Sequence, residues 1–539
     1  MLAKRAWLLL FLFVTAFYLF GLGRLPLVGP DEPRYAQVAR EMFQRGDWIT
    51  PTLGGHTWFE KPALLYWMMI AAFRAFGVSE WSTRLGPAIA GLLTIVALCW
   101  ISRRVERRQG HGTGGFSFFS TLVIASSGGL IVFSRAASFD IVITMTITWA
   151  LSFFLASEIE EKRQNWFLAG FYCFVGFSLL AKGLVGIVVP FGVIGLFYLF
   201  RRKFPDRRVL ISLVWGIPLA LGVAALWYGP VIARHGWLFV DQFFIQHHFA
   251  RYFSNKYQHP QPIYFYGPVI LMLSVPWTLW LIEALVKAKG WQWSSDEPAS
   301  RTRVFALAWF IVPIFVFSFS GSKLPAYVLP SLPAVALLVS ERLGLFVSAK
   351  TSSGWTMRLT AAVLCVLAVA GIIYAQHTGR VSLQCALLVL VPVVLIGLLI
   401  LIASRRRLMA ALLVAVVPVA GAVLTLSCAV DRFASRESVR ELIRQADAKG
   451  YGAAPVFMFS RIERTSEFYA AGRVVYDADG DPHKFERGDE VISEAQKVHT
   501  PMLIIIPLGS MWRLQNLQGV QTSVIADNGR VALLVVTAQ

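Results

Sequence analysis

Apolar runs of roughly 18 or more residues follow one another along most of this 539-residue chain, and few folds are open to such a sequence. Each run is about long enough to cross the hydrocarbon of a bilayer as a helix. Spans are expected near 6–23, 81–102, 116–134, 139–157, 165–180, 184–200, 209–232, 263–288, 302–319, 325–346, 356–376, 382–403 and 408–428, about thirteen in all. Only 15% of the residues are charged, against about 25% in a soluble domain. The expected fold class is therefore a polytopic α-helical membrane protein.

The basic residues give the expected orientation. Lys4 and Arg5 precede the first span, and Arg103, Arg104, Arg107 and Arg108 follow the second. Lys162 with Arg163, Arg201 to Lys203 with Arg207 and Arg208, Lys287 with Lys289, Lys350, and Arg405 to Arg407 come next. Every second loop is basic, so these loops are expected in the cytoplasm, with the N-terminus. The alternate short loops hold about one basic residue each, Arg135, Lys182, Lys323 and Arg380. Two long loops, 24–80 and 233–262, and everything after Val430 then lie outside. The net charge of +19 is used up in this alternation, so no nucleic-acid partner is expected. The N-terminal run lacks a small-residue cleavage site and reads as an uncleaved first span.

Segment 62–77 is apolar but short, contains Arg74 and stops at Gly77. Were it to span, the Arg103–Arg108 cluster would move outside and the alternation would collapse, so an interfacial helix is expected. After Pro33, the residues Tyr35, Val38, Ala39 and Met42 recur at helical spacing, which predicts a second interfacial helix. Prolines open both.

The membrane part is expected over 1–430 and a small outer α/β domain over 431–539. In the latter, a helix is predicted over 435–448, with Ser438 and Glu441 at capping-box spacing, followed by strand-like runs VFMF, VVY, MLIIIPL and VALLVV. It holds no GxSxG and no glycine-rich phosphate loop. Cys99, Cys173, Cys365, Cys385 and Cys428 lie in or at the ends of apolar runs without CxxC spacing. They read as small buried side chains, with neither a disulfide framework nor a cysteine-bound metal.

The chemistry is expected in the first outer loop, VGPDEPRYAQVAREMFQRGDWITPTLGGHTWFEKP from Val28 to Pro62. Across the outer loops, Asp31, Glu32, Arg34, Tyr35, Glu60, Lys61, Asp140, Lys182, His247, His248, Arg251, Lys323 and Tyr327 all fall at or near span ends. Ionisable groups at membrane depth need partners, so a set on one face suggests a shared polar cavity. Singly, each also reads as an interfacial anchor or a helix cap. Asp31 and Glu32 are either caps before Pro33 or carboxylates beside an acceptor. Glu60, His247 and His248 are candidate ligands for a divalent cation such as zinc, although no HxxxH or HExxH spacing exists. Lys61, Lys182, Arg251 and Lys323 could hold a phosphate leaving group, and Tyr35 and Tyr327 could donate to it.

The pattern PDExRYA…REM…GDWI-P-L…FEKP resembles the lipid A aminoarabinose transferases, polytopic glycosyltransferases of the GT-C class related to protein O-mannosyltransferases. Asp140, AKGLVGIVVP at 181–190, FFxxxHxxR at 243–251, the tyrosine segment from Pro262 and GSKLPAYVL at 321–329 match in order. The resemblance implies a GT-C fold in a bacterial inner membrane and an undecaprenyl-phosphate-linked sugar donor. The transferred sugar would be 4-amino-4-deoxy-L-arabinose, delivered to lipid A phosphates or another acceptor on the periplasmic face. It implies Asp31 and Asp140 as the essential acids, with Glu60 and Lys61 at the donor phosphate and metal site and His248 a second ligand. Lys182, Arg251, Lys323 and Tyr327 would complete the phosphate cavity. Relatives often carry Glu-His where this chain has His247-His248.

A phosphate acceptor is already anionic, and Asp31 would then orient it; a hydroxyl acceptor would need Asp31 as general base. Transfer of another sugar to protein Ser/Thr or to glycan is the nearest rival. A lipid-linked sugar flippase would instead predict inverted repeats and helices broken at mid-membrane.

Overall fold

A computed structural model describes residues 4–109, 115–250, 261–350, 354–378, 381–402, 406–428, 430–515 and 517–539. In chain order the first half runs α1 (Lys4–Leu19), α2 (Asp31–Arg45), the hairpin strands β1 (Thr52–Leu53) and β2 (His56–Thr57), α3 (Leu64–Phe76) and α4 (Glu80–Gln109). There follow α5 (Phe116–Ala125), α6 (Gly128–Phe133), α7 (Phe139–Ile159), α8 (Gln164–Lys182), α9 (Val185–Arg201), α10 (Arg207–His235) and α11 (Trp237–Val240). The backbone forms two compact units. One comprises Met1–Phe20, Phe59–Leu65 and Leu85–Ser427, the other Gly21–Trp58, Tyr66–Arg84 and Cys428–Gln539.

Nine helices among the described residues are long and apolar enough to cross a membrane. They are α4, α7, α8, α10, Pro298–Ser318, Pro325–Val347, Gly354–Thr378, Leu383–Ile402 and Arg407–Cys428, and each lies on an expected span. At the other four expected spans the helices are shorter, broken or bent. The first holds the short apolar helix Trp7–Leu19, and α9 has 17 residues. The run 116–134 breaks between α5 and α6, where the Ser126 and Ser127 hydroxyls donate back to the carbonyls of Leu122 and Val123. Such hydroxyls compete with the helical ladder. The run 263–288 bends by 118° between Ile263–Leu273 and Thr278–Gly290, around Pro276, which has no N–H to continue a helix.

Cys99, Cys173 and Cys365 are free thiols, but Cys385 and Cys428 are disulfide-bonded, which corrects the expectation of none. Apolar surroundings say how a thiol packs and nothing about which thiols meet in space.

In the second unit, β3 (Val456–Phe459), β4 (Lys484–Phe485), β5 (Met502–Pro507), β6 (Val520–Asp527) and β7 (Val531–Ala538) form one sheet in the order β4-β3-β5-β7-β6. β3 pairs in parallel with β4 and β5, and β7 pairs antiparallel with β5 and β6. The period of two sorts the side chains onto two faces. Val456, Met458, Leu503, Ile505, Leu533 and Val535 join one core with Leu442 and Ile443. Phe457, Phe459, Ile504, Ile506, Leu534 and Val536 join another with Val491 and Ala495. The helix expected over 435–448 is split into Val430–Glu437 and Arg440–Ala446. Ser438 sits at the break, where its hydroxyl accepts from the Arg440 amide at 3.2 Å. VVY forms isolated bridges rather than a strand.

The first long loop shares this unit's core through the short helix Thr465–Tyr469. Leu27 and Ala36 are buried with Phe468. Arg40 donates to the Phe468 carbonyl at 2.7 Å and lies 4.0 Å from the centre of its ring. The Tyr469 hydroxyl accepts from the Leu27 amide at 2.7 Å and donates to Glu80 at 3.1 Å, and Glu80 also takes Arg440 at 3.1 Å.

Glu467, on the same helix, is 1% exposed. One of its oxygens takes Arg464 at 2.9 Å, and the other has no hydrogen-bond partner among the described residues. Burial pushes this carboxyl up to about 7, against the pull of Arg464 and Arg34. A carboxyl raised in the folded state contributes stability that is complete below its unfolded value and lost as pH rises through the folded one. Unfolding midpoints measured from pH 4.5 to above 7 should therefore fall by the equivalent of about 3 kcal/mol. Glu467→Gln should flatten that slope, and an unchanged slope in the variant would contradict it.

Candidate functional site

α2 begins at Asp31, where a first-turn carboxylate meets the positive end of the helix. Asp31 is half exposed, and its Oδ1 accepts from Arg34 at 2.7 Å, one turn on. Arg34 also donates to the Pro30 carbonyl at 2.8 Å and lies 5.5 Å from the Trp58 ring centre. Tyr35 turns inward, 6% exposed, with its ring edge-on to Tyr66 at 6.5 Å. The expected inward face of α2 is the buried one, with Tyr35, Val38, Ala39 and Met42 all covered.

Glu32 has a different occupation from its neighbour. It is 8% exposed, and both of its oxygens accept from Arg84, at 3.0 and 2.8 Å. Arg84 also donates to the carbonyls of Leu22, Leu25 and Pro26 at 2.9, 2.6 and 2.8 Å. A guanidinium has five N–H donors, and these bonds use them all. Glu32, expected among the catalytic carboxylates, is buried with both oxygens on Arg84.

In the first unit, Asp140 lies in the first turn of α7, where Ser138 caps the helix and accepts from the Asp140 amide at 3.0 Å. The Asp140 carboxylate is ion-paired with Lys182, the last residue of α8. The Lys182 ammonium lies 4.3 Å from the centre of the Tyr327 ring, within cation–π range. Tyr266, which donates to the Leu324 carbonyl at 3.2 Å, lies within electrostatic range of both Asp140 and Tyr327. Lys323, 8% exposed, donates to the Ser320 carbonyl at 2.8 Å. Thus Asp140, Lys182 and Tyr327 are brought together, beside the segment that carries Lys323.

Glu60 and Lys61 are ion-paired at 2.9 Å and only 9% and 13% exposed in their side chains. Phe59, before them, is 2% exposed and packs edge-on to His235 and Phe239 at about 5 Å. The side chains of His247 and His248, and all of Arg251, lie outside the described residues. Among the described residues no three His, Cys, Asp or Glu side chains are grouped to hold a metal ion. An ammonium already sits on Glu60, so the described donors do not by themselves fit a divalent cation.

Arg84, Ser138, Tyr266 and Tyr469 were not among the expected site residues. Arg84 carried the clearest signal, because an arginine beside an apolar run needs a partner.

The fold is of the GT-C class, a polytopic helical membrane protein with an α/β domain. The structure of ArnT from Cupriavidus metallidurans bound to undecaprenyl phosphate superposes with a TM-score of 0.78 at 21% identity, covering 99% of this chain and 98% of that one. The archaeal oligosaccharyltransferase AglB from Archaeoglobus fulgidus reaches a TM-score of 0.52 at 14% identity, covering 95% and 70%.

In sequence, the family model for dolichyl-phosphate-mannose-protein mannosyltransferases matches residues 5–252. The undecaprenyl phosphate-alpha-4-amino-4-deoxy-L-arabinose arabinosyl transferase of Aeromonas salmonicida is 32% identical over 340 residues, covering 61% of this chain and 58% of that protein. Its counterpart from Serratia proteamaculans is 32% identical over 347 residues, covering 62% and 59%. The chain thus spans under two thirds of the length of the relatives it matches. It is similar in sequence to these transferases and in fold to ArnT.

Arg84→Ala would leave the Glu32 charge buried without its partner, at a cost of about 3–5 kcal/mol. Thermal unfolding in detergent should show a lower midpoint. Adding Glu32→Gln to Arg84→Ala should recover part of the loss. A wild-type midpoint for Arg84→Ala would remove this pair from its structural role.

Proposed function

We propose that the protein is a glycosyltransferase moving 4-amino-4-deoxy-L-arabinose from undecaprenyl phosphate to lipid A phosphates on the periplasmic face of the inner membrane. The observation that carries this reading is the 32% identity, over 340 residues, to a transferase of that name. In the reaction an acceptor phosphate oxygen forms a bond to the anomeric carbon of the sugar as the bond to the undecaprenyl phosphate oxygen breaks. The departing phosphate gains negative charge, and cations fixed in advance are what stabilise it. Lys182 is suited to this, because Asp140 and the Tyr327 ring hold its ammonium in place. Lys61, Lys323 and Arg251 complete the proposed phosphate cavity. Asp31, half exposed and held by Arg34, orients the acceptor.

The proposed orientation has the N-terminus in the cytoplasm and residues 431–539 in the periplasm. The basic loops support it. So do the disulfide-bonded Cys385 and Cys428, which belong in an oxidising compartment. A second reading, transfer of a sugar to protein Ser/Thr, has in its favour the mannosyltransferase model over 5–252. There the acceptor is a hydroxyl and Asp31 becomes a general base.

The test is transfer in vitro with defined undecaprenyl-phosphate sugars, offered lipid A or a Ser/Thr peptide, with and without chelator. Transfer of aminoarabinose to lipid A is expected. Glycosylated peptide with unmodified lipid A would favour the second reading, and no transfer to either would overturn both. The chelator arm decides whether Glu60, His247 and His248 serve a metal, and no step above is routed through one. Lys182→Met should lower kcat by about 10²–10³, and Lys61→Ala should weaken use of the lipid-linked donor. Donor kinetics unchanged in either variant would remove that lysine from the phosphate site.

A further inference from the structure

α9 and α10 both lean on α8. α10 does so closely enough that a Cβ on Gly216 would lie 2.1 Å from the Tyr172 ring, and one on Gly176 2.6 Å from the Ala220 carbonyl. Between α9 and α10 this leaves a cavity of about 670 Å³, lined by Phe171, Tyr172, Phe191, Ile194 and Leu213 among others. It has room to spare, since a Cβ on Gly195 would meet nothing within 4 Å. Leu199 and Leu210 line it while remaining 70% and 50% exposed, so the groove opens to what surrounds the helices.

The connection Arg202, Lys203, Phe204 and Pro205 also lines the groove, and the charge there is unbalanced. Arg201, Lys203 and Arg301 all pair with one carboxylate, Asp296, at 2.5, 2.6 and 3.0 Å. Arg208 donates to the Gln164 side chain. Arg202 and Arg207 are exposed, and neither has an ion-pair partner among the described residues. Six cations (Arg201, Arg202, Lys203, Arg207, Arg208 and Arg301) thus face three local carboxyl groups, Glu158, Asp206 and Asp296.

An apolar groove open to the bilayer and bordered by surplus positive charge has the two halves of one ligand class. We propose that it is a binding site for an anionic phospholipid, with an acyl chain along Phe171, Phe191 and Ile194 and the phosphate at Arg202 and Arg207. A zwitterionic lipid could fill the groove but would leave the cations unmet. Basic pockets beside membrane helices select anionic headgroups for this reason. The proposal stands apart from the transfer reaction and uses none of its residues.

The full chain, in nanodiscs of phosphatidylcholine with increasing phosphatidylglycerol, tests it by native mass spectrometry of retained lipid. The wild type should retain phosphatidylglycerol over phosphatidylcholine. Replacing both arginines, Arg202→Ala with Arg207→Ala, should lower that preference about thirtyfold. Gly195→Leu, which fills the groove from a helix face with open space beside it, should lose the retained lipid. Equal retention of the two lipids by the wild type would overturn the proposal, as would an unchanged preference in both variants. Displacement of phosphatidylglycerol by undecaprenyl phosphate would also overturn it, by assigning the groove to the donor.

Discussion

Arg84 is the residue on which the second unit's arrangement most depends. Its guanidinium gathers three carbonyls of the stretch after α1 and both oxygens of Glu32. A buried charge is tolerated only when paired and fully hydrogen-bonded. The chain from Leu22 to Glu32 is therefore tied to the start of α4. Asp31 is the residue before Glu32, so the same bonds fix where α2 begins and which way its first turn points. The C-terminal residues add a second hold on α2, through Phe468 on Arg40 and Tyr469 on Leu27 and Glu80. The C-terminal residues, in which no catalytic motif was legible, thus have a physical task in setting the helix that carries Asp31.

The same logic appears in the first unit, where Asp140 and Lys182 join the start of α7 to the end of α8. A carboxylate in the first turn and an ammonium in the last turn of a helix each suit the dipole they meet. Each also gives the other a partner that an apolar setting demands. The outcome is a cation held in one place, which a flexible lysine in water would not be. Such fixity is what a developing phosphate charge rewards.

Much of the fold was legible because the bilayer forces it. Length and apolarity alone located the nine helices of spanning length among the described residues, since a run of about 20 apolar residues has little else to do. The four departures come from local chemistry that hydropathy averages away, as with the hydroxyls of Ser126 and Ser127 or Pro276. The site was legible in part. Neighbours on a helix point about 100° apart, so Asp31 and Glu32 face different surroundings, and nothing in the pair Asp-Glu says which one meets Arg84. Tyr35 was offered as a donor, but its own helical spacing with Val38, Ala39 and Met42 already assigned it to the buried face. Tyr266 lay within a segment noted for its resemblance, yet only its electrostatic interaction with Asp140 and Tyr327 in the fold makes it a candidate. The disulfide bonding of Cys385 and Cys428 was invisible for a similar reason, since pairing is decided by space.

The claim at the centre of this account is that the half-exposed Asp31, placed by the Glu32–Arg84 pair, serves transfer of aminoarabinose to lipid A. The most direct measurement is mass spectrometry of lipid A from cells lacking their own transferase, supplied with either the wild type or Asp31→Asn at equal membrane levels. The account predicts aminoarabinose on the lipid A phosphates with the wild type and none with the variant. Lipid A modified to the same extent by both, or left unmodified by the wild type, would contradict it.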